Sequence, residues 1–335
     1  MSILFADCET FSKLDVTEVG AYKYARHEST VPILWSFIHN SWPHAVVTEQ
    51  PNIWEQIERL RKTKQIPEGT LTVAHWNDFD RLIAQEQVLG MFKPHADLPG
   101  FVGPLDTLWI DMRPLSLAYG GPGGAEQAAK FWGGEVFKTP GKALIDMFCK
   151  PNADGGRNDM RFVPEEWTEF REYSRRDSEI LRPIWDSLER VGPWGHSVKD
   201  HATRYHLVER MNERGVEIDV DCAEIVNESL KEQELVLANK MIAKYGFKPT
   251  QIQKVQEFLG TPNCQAITLE EFIAEHEDDP AKEDEVEVAN TRLMTGGAAR
   301  RKLGPMLHYS KGDGRLRGAW TYHGAWTSRM TSLGP

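Results

Sequence analysis

Two carboxylates one residue apart, Asp7 and Glu9, close an apolar run in "SILFADCETF" (Ser2–Phe11). Side chains alternate along a strand, so both acids fall on one face of it. Two like charges there suit a divalent cation, and they also suit an acidic turn at a sheet edge. Further along, "TVAHWNDFDRLIAQ" ends a second apolar strand and sets Asn77, Asp78 and Asp80 at the head of a helix. "FREYSRRDSEILRPIW" carries Tyr173 and Asp177 at i and i+4, on one helical face and close enough to act on the same group. Singly, each of these is more often a surface acid. In this order and strand context they read as one constellation. Cys8 lies between the first two acids but points to the opposite face of the strand, into the core.

The elements that must position these residues alternate through the first 190 or so residues. Strands are expected over Ile3–Ala6, Val19–Tyr24, Ile33–His39 and Leu71–His75. "GAYKYARHESTVPILWSFIHN" reads as a hairpin with its turn at His27–Thr30. Helices are expected over Trp54–Thr63, Asp80–Leu89, Gly124–Trp132 and Pro164–Val191. Strands interleaved with helices point to an α/β sheet domain. Beyond "GPWGHS" (Gly192–Ser197) the pattern turns helical. "VDVDCAEIVNESLKEQELVLANKMIAKYG" is the clearest helix, with Asp221 as N-cap, Glu224 completing a capping box and Gly246 at the stop. Its apolar stripe is Val226, Leu230, Leu237, Met241 and Tyr245. The acidic stretch Glu275–Glu287, broken by Pro280, reads as a flexible or exposed connection.

Composition excludes several classes. The chain has 335 residues, 40% apolar and 27% charged, enough for two globular domains. No apolar stretch nears the roughly 20 residues that span a bilayer, and the first residues lack the basic region of a signal peptide. The four cysteines, Cys8, Cys149, Cys222 and Cys264, form no C-x-x-C pair. A membrane partner is not expected, and the cytoplasm is the expected location. The net charge of −11 argues against a generic nucleic-acid binder, but its distribution is uneven. Glu270–Glu287 holds ten acids and one lysine, whereas Arg292–Arg329 holds eight Arg/Lys and one acid. That second stretch is a candidate phosphate-contacting tail, or a basic loop after a solvated helix face.

"YGGPGGAEQAAKFWGG" lacks the G-K-[ST] ending of a phosphate loop and reads as a glycine-rich turn before a helix. His201 and His206, five apart, are off-face for shared metal ligation and read as helix-surface residues.

Taken together, the acidic motifs resemble the DEDD exonucleases, of the kind with a tyrosine in the third motif, on a ribonuclease-H-like fold. The resemblance implies that Asp7, Glu9, Asp80 and Asp177 gather around two divalent cations while Tyr173 positions the attacking water. All-oxygen ligands suit Mg²⁺ or Mn²⁺ rather than zinc. Such a pair of ions can activate water and stabilise a leaving 3′ oxygen. This sequence departs from the family at one place: Trp76 stands where Asn is usual, four residues before Asp80, and the Asn comes one later as Asn77. Trp76 either stacks on a substrate base or packs in the core; for a tryptophan, packing is the default.

A second resemblance covers the remainder. "VERMNERGVEIDV", "KPTQIQKVQEFLG" and "ANTRLMTGGAARRKLGPML" look like thumb segments of family A DNA polymerases. "GDGRLRGAWTYHGAWTSRMTS" resembles the palm-opening run of phage members, with Ser328 where Gly is usual. The resemblance implies a mixed-sheet exonuclease domain over 1–195, a mainly helical thumb-like region over 196–312 and the start of a palm over 313–335. It also implies a polymerase half C-terminal to Pro335 as a partner. The DNA-contact candidates are Trp76, Asn77, Arg300, Arg301, Lys302, Arg315, Arg317, Thr327 and Arg329. The expected activity is proofreading 3′→5′ exonuclease, acting on the single-stranded 3′ end of a primer-template, in the host cytoplasm if the chain is phage-encoded. Its rivals are a stand-alone nuclease of the same class acting on RNA or oligonucleotides, and a catalytically dead DNA-binding scaffold.

Overall fold

A computed structural model of the chain describes residues 2–63, 66–67, 70–88, 108–134, 141–191, 198–310, 312–325, 327 and 329–332. Contacts divide the chain into two compact units. The first comprises Met1–Val216 with Arg317–Leu333, and the second comprises Glu217–Leu316 with Gly334–Pro335. The expected boundaries after 195 and 312 mark changes in sequence character; the compact units close later, after 216 and 316.

The first unit is built on a five-stranded sheet. Its strands are β1 (Ile3–Phe11), β2 (Val31–His39), β3 (Val46–Glu49), β4 (Leu71–Ala74) and β5 (Leu108–Asp111), in the order β3-β2-β1-β4-β5. β2 runs antiparallel to β1 and β3, while β4 runs parallel to β1 and β5. β1 is central and alternates cleanly. Leu4, Ala6 and Cys8 enter one apolar cluster with Trp35, Phe37 and Trp109. Ile3 and Phe5 enter another, with Ile184 and Trp185, where Phe5 meets the Trp185 ring edge-on at 6.4 Å. Asp7 and Glu9 share the parity of Ile3 and Phe5, and Cys8 is buried on the other side as expected.

The helices of this unit are α1 (Val16–Val19), α2 (Ala21–Arg26), α3 (Ile53–Lys62), α4 (Asn77–Ile83), α5 (Met112–Ala118), α6 (Ala125–Phe131), α7 (Gly141–Phe148), α8 (Pro164–Glu179), α9 (Leu181–Val191) and α10 (Val198–Arg214). α4 runs on into a single π turn, Ala84–Val88. The strand expected over Val19–Tyr24 is helical, and the hairpin is absent. Asp15 caps α1 by accepting from the Thr17 amide at 2.8 Å, and Gly20, at φ 76°, ends α1 and admits α2. α2 buries Tyr22, Tyr24 and Ala25, and β2 pairs with β1 instead. The helix expected over Pro164–Val191 divides at Ile180. Pro183 supplies no amide to the Glu179 carbonyl, so the hydrogen-bond ladder breaks there. His201 and His206 are buried rather than on the surface. α10 is covered by β5 on one side and by the short strand Trp320–Thr321 on another. Within α10, Glu209 accepts from the Arg81 guanidinium at 2.7 Å, both side chains 2% exposed.

The second unit contains α11 (Val220–Tyr245), α12 (Ile252–Leu259), α13 (Ala266–His276), α14 (Glu283–Gly296) and α15 (Ala298–Ser310). Its core is Met241, Phe247, Val255, Leu259, Leu269, Val288 and Ala289. The stripe of α11 is therefore buried only near its C-terminal end; Val226 is exposed. Gly246 closes α11 at φ 78°, as expected. The N-cap is Asp219, not Asp221: its carboxylate accepts from the Cys222 amide at 3.0 Å. The acidic stretch is largely exposed, as expected, but helical rather than an irregular connection. Asp279 caps a 3₁₀ turn at Pro280–Lys282, and Glu283, Asp284 and Glu285 occupy the first turn of α14, where the helix dipole favours them. Lys244 pairs with both Asp284 and Glu287. Among the described residues no helix is long and apolar enough to cross a membrane.

The cap assignment is directly testable. Asp219→Ala is expected to lower stability by about 1 kcal/mol in urea titrations, whereas Asp221→Ala changes little. The reverse order would return the cap to Asp221.

Candidate metal centre

The site forms where β1 meets α8. Register sets Asp7 opposite Ser36 and Glu9 opposite Leu34 on β2. The Ser36 hydroxyl donates to the Ser174 carbonyl at 2.7 Å and so fastens α8 against the sheet. α8 buries Phe170, Ser174 and Ser178, a four-residue repeat that turns Tyr173 and Asp177 toward the β1 acids. Ligand atoms of Asp7, Glu9 and Asp177 lie within 4.8 Å of one another. The Tyr173 hydroxyl donates to Asp177, and its ring lies parallel to Phe170 at 6.1 Å. Gly141 at the head of α7 allows that ring its place. A Cβ there would sit 2.5 Å from the Tyr173 Cε2 atom.

Asp80 is not part of this trio of ligand atoms. It is buried on the first turn of α4, accepts a hydrogen bond from the Cys8 amide and feels the charge of Asp7. The four expected ligands thus arrive as three together and one behind.

Electrostatics mark the place as one built for positive charge. Burial first, and neighbouring carboxylates second, push the carboxyls of Asp7, Glu9 and Asp80 well above their ordinary range. Burial raises Asp177 to about 6, against the lowering effect of the Tyr173 hydrogen bond. The charge acting on Asp7 is that of Asp177, not of a lysine or arginine. Asp7 Oδ2 is buried without a hydrogen-bond partner. Three carboxylates whose ligand atoms converge, one of them with an orphaned oxygen, are what a hard cation requires, so the donor set fits Mg²⁺ or Mn²⁺. Burial and the adjacent acids push the Tyr173 phenol up, so it stays protonated and serves as a donor, not a base.

Two neighbours of the site were not foreseen. Cys149, after α7, points its thiol at Glu9 Oε2, 3.7 Å away; burial holds that thiol neutral and able to donate. Asp111, at the end of β5, accepts from the amides of Trp76 at 3.1 Å and Arg113 at 2.9 Å. Neither belongs to a spaced motif, because each meets its partner only through the sheet. Trp76 itself departs from the core-packing expectation: the residue is 41% exposed. Asn77 is the first residue of α4, and its side chain lies outside the described ones.

The basic candidates fall in both units. In the second unit Arg301 and Lys302 are exposed on α15, Arg300 donates to the carbonyls of Met294 and Leu230, and Arg315 pairs with Glu217 at 3.2 Å. In the first unit Thr327 and Arg329 are exposed, and Arg317 donates to the Glu213 carbonyl at 2.8 Å. Ser328 lies outside the described residues.

Comparison with known proteins fits this architecture. No protein-family model matches the chain. Over 233 residues, 66% of the chain, it is 26% identical to a DNA polymerase of Bacillus phage SP02. Its structure resembles the POL domain of Pol1 from M. smegmatis, solved in complex with DNA primer-template and dNTP, with a TM-score of 0.54 at 12% identity over 99% of this chain. At that identity the likeness is one of fold. The matched regions make up 32% of the phage protein and 51% of the mycobacterial chain. The chain is therefore related in sequence to a phage DNA polymerase and in fold to a polymerase domain.

A proton–cation competition follows. The Asp177 carboxyl holds its proton up to about pH 6 in the folded state but only to about 3.9 when unfolded. Its contribution to stability is full below about pH 4 and lost as pH rises through about 6. His75 and His206, both lowered to about 4 by burial, change stability in the opposite direction, so the informative quantity is a difference between variants. In chelator, Asp177→Asn is expected to melt above the wild type at about pH 8 and level with it near about pH 4. Mg²⁺ at about pH 8 should raise the wild type more than the variant. An unchanged difference across pH, or no response to Mg²⁺, would remove the metal reading.

Proposed function

We propose that the chain is a 3′→5′ DNA exonuclease of the two-cation, tyrosine-containing kind, the trimming part of a polymerase-related protein. The observation that carries this is the convergence of ligand atoms of Asp7, Glu9 and Asp177 within 4.8 Å of one another, with one Asp7 oxygen left without a hydrogen-bond partner and Tyr173 hydrogen-bonded to Asp177. The central mixed sheet, with β2 antiparallel to β1 and β4 parallel to it, agrees with a ribonuclease-H-like assignment.

Asp7, Glu9 and Asp177 would hold the cations directly, with Asp80 closing the set from α4. Bound there, divalent cations supply an activated water and stabilise charge on the leaving oxygen. The protein's own part is placement. Tyr173, pinned between Phe170 and Gly141 and held protonated, offers a fixed hydroxyl to orient the attacking water. In the hydrolysis a water oxygen bonds to the terminal phosphorus, the bond from phosphorus to the preceding 3′ oxygen breaks, and a nucleoside 5′-monophosphate leaves. Only an unpaired end can reach buried carboxylates, and unpairing costs least at a mismatch, which gives editing its selectivity. Arg300, Arg301, Lys302, Arg315, Arg317, Thr327 and Arg329 are the proposed contacts to DNA backbone, salt-sensitive in their contribution.

The test uses 5′-labelled single-stranded DNA, RNA of the same sequence and a mismatched primer-template, each with Mg²⁺ and with chelator. Expected are Mg²⁺-dependent 3′ shortening of DNA, its loss in Asp7→Ala, and a slowing of about a hundredfold in Tyr173→Phe from misplaced water. Preference for RNA would favour a stand-alone ribonuclease, and no shortening of any substrate would favour a scaffold.

A further inference from the structure

Trp76 occupies a position that its residue type does not favour. Its backbone is left-handed, with φ 62° and ψ 51°. Glycine takes that conformation freely, and asparagine and aspartate tolerate it best among the others; a bulky side chain pays steric energy there. Burial of the indole does not offset that strain, because the residue is 41% exposed. Strained backbone that core packing does not repay points to use in binding.

The surroundings hold the ring ready rather than hide it. Asp111 Oδ1 accepts from the Trp76 amide at 3.1 Å, tying the left-handed turn to the end of β5. The indole stacks on Phe79 at 5.9 Å and 23°, and Phe79 in turn meets Tyr24 at 5.6 Å. Tyr24 is buried, so the ladder is rooted in the core and ends at the surface with Trp76. The ring sits one helical turn before Asp80 at the head of α4. A lone indole next to carboxylates is too small and too polar a setting for protein docking. It suits a nucleobase, since every base offers a π face and stacking tolerates any sequence.

We infer that Trp76 is a stacking platform for one unpaired nucleobase of the DNA strand being trimmed, held in its strained turn by Asp111. The inference deepens the exonuclease reading and rests on it for the identity of the strand.

Binding and shortening are measured separately on the full chain, so that either reading can fail alone. Fluorescence anisotropy in chelator reads the affinity for a 5′-labelled oligothymidylate, and for versions carrying one abasic residue at each of the last three positions. Trp76→Ala and Trp76→Asn are expected to weaken the intact oligonucleotide about tenfold, and Trp76→Phe about threefold or less. At one abasic position the loss caused by Trp76→Asn should vanish, because the base that stacked is gone. Trp76→Asn should melt no lower than the wild type, since asparagine suits the left-handed turn; that keeps the result readable even where Trp76→Ala folds poorly. Equal affinity of wild type and Trp76→Asn, or the same loss at every abasic position, overturns the platform. Stacking without Mg²⁺-dependent shortening would refute the exonuclease reading and leave the platform standing.

Discussion

Repulsion among crowded, partly buried carboxylates is the constraint on which the rest of this structure turns. Ligand atoms of Asp7, Glu9 and Asp177 stand within 4.8 Å of one another at a sheet-and-helix junction, Glu9 buried and the other two half-buried. In a low-dielectric setting such charges either take up protons or acquire a cation. Among the described residues no lysine or arginine charge acts on Asp7. Arg81, next to Asp80 in the chain, is instead held in a fully buried pair with Glu209 on α10. That division of labour is physically coherent. Removing one partner of such a buried pair costs about 3–5 kcal/mol, so Arg81 is held firmly one residue from Asp80 and away from the orphaned oxygen.

The donors around the site serve the same end. Tyr173 and Cys149 both carry protons that burial keeps on them, and both aim those protons at carboxylates. Hydrogen bonds of this kind orient ligands and limit how many oxygens face the cavity. The Ser36–Ser174 bond fixes α8 in register with β2, so the two ligand-bearing elements cannot slide independently.

Much of this was legible in the sequence because strand and helix periodicities are short-range. Asp7 and Glu9 share a face by alternation, and Tyr173 and Asp177 share one by helical pitch. What the sequence hid depended on distant partners or on caps. Val19–Tyr24 alternates like a strand, yet Asp15 and Gly20 make it helical. Asp219 and Asp221 are equally good caps on paper, and only the start of α11 at Val220 chooses between them. Trp76 looked like a core residue by type; its exposure follows from a backbone angle that no residue-type argument anticipates. Cys149 and Asp111 reach the site across 140 and 35 residues of chain, beyond the range of any spacing rule.

The return of Arg317–Leu333 to the first compact unit carries a consequence for how this molecule can be divided. Asn212 on α10 exchanges two hydrogen bonds with the backbone of Trp320, and Tyr322 and His323 pack on His201. The unit that bears the carboxylates is thus discontinuous along the chain, with the helical unit inserted into it. Cutting the gene after Val216 would strip α10 of its outer cover and bare Asn212 beside the Arg81–Glu209 pair. A minimal form of the carboxylate-bearing unit would have to be made by excising the insert and rejoining its ends, not by shortening the chain from one side.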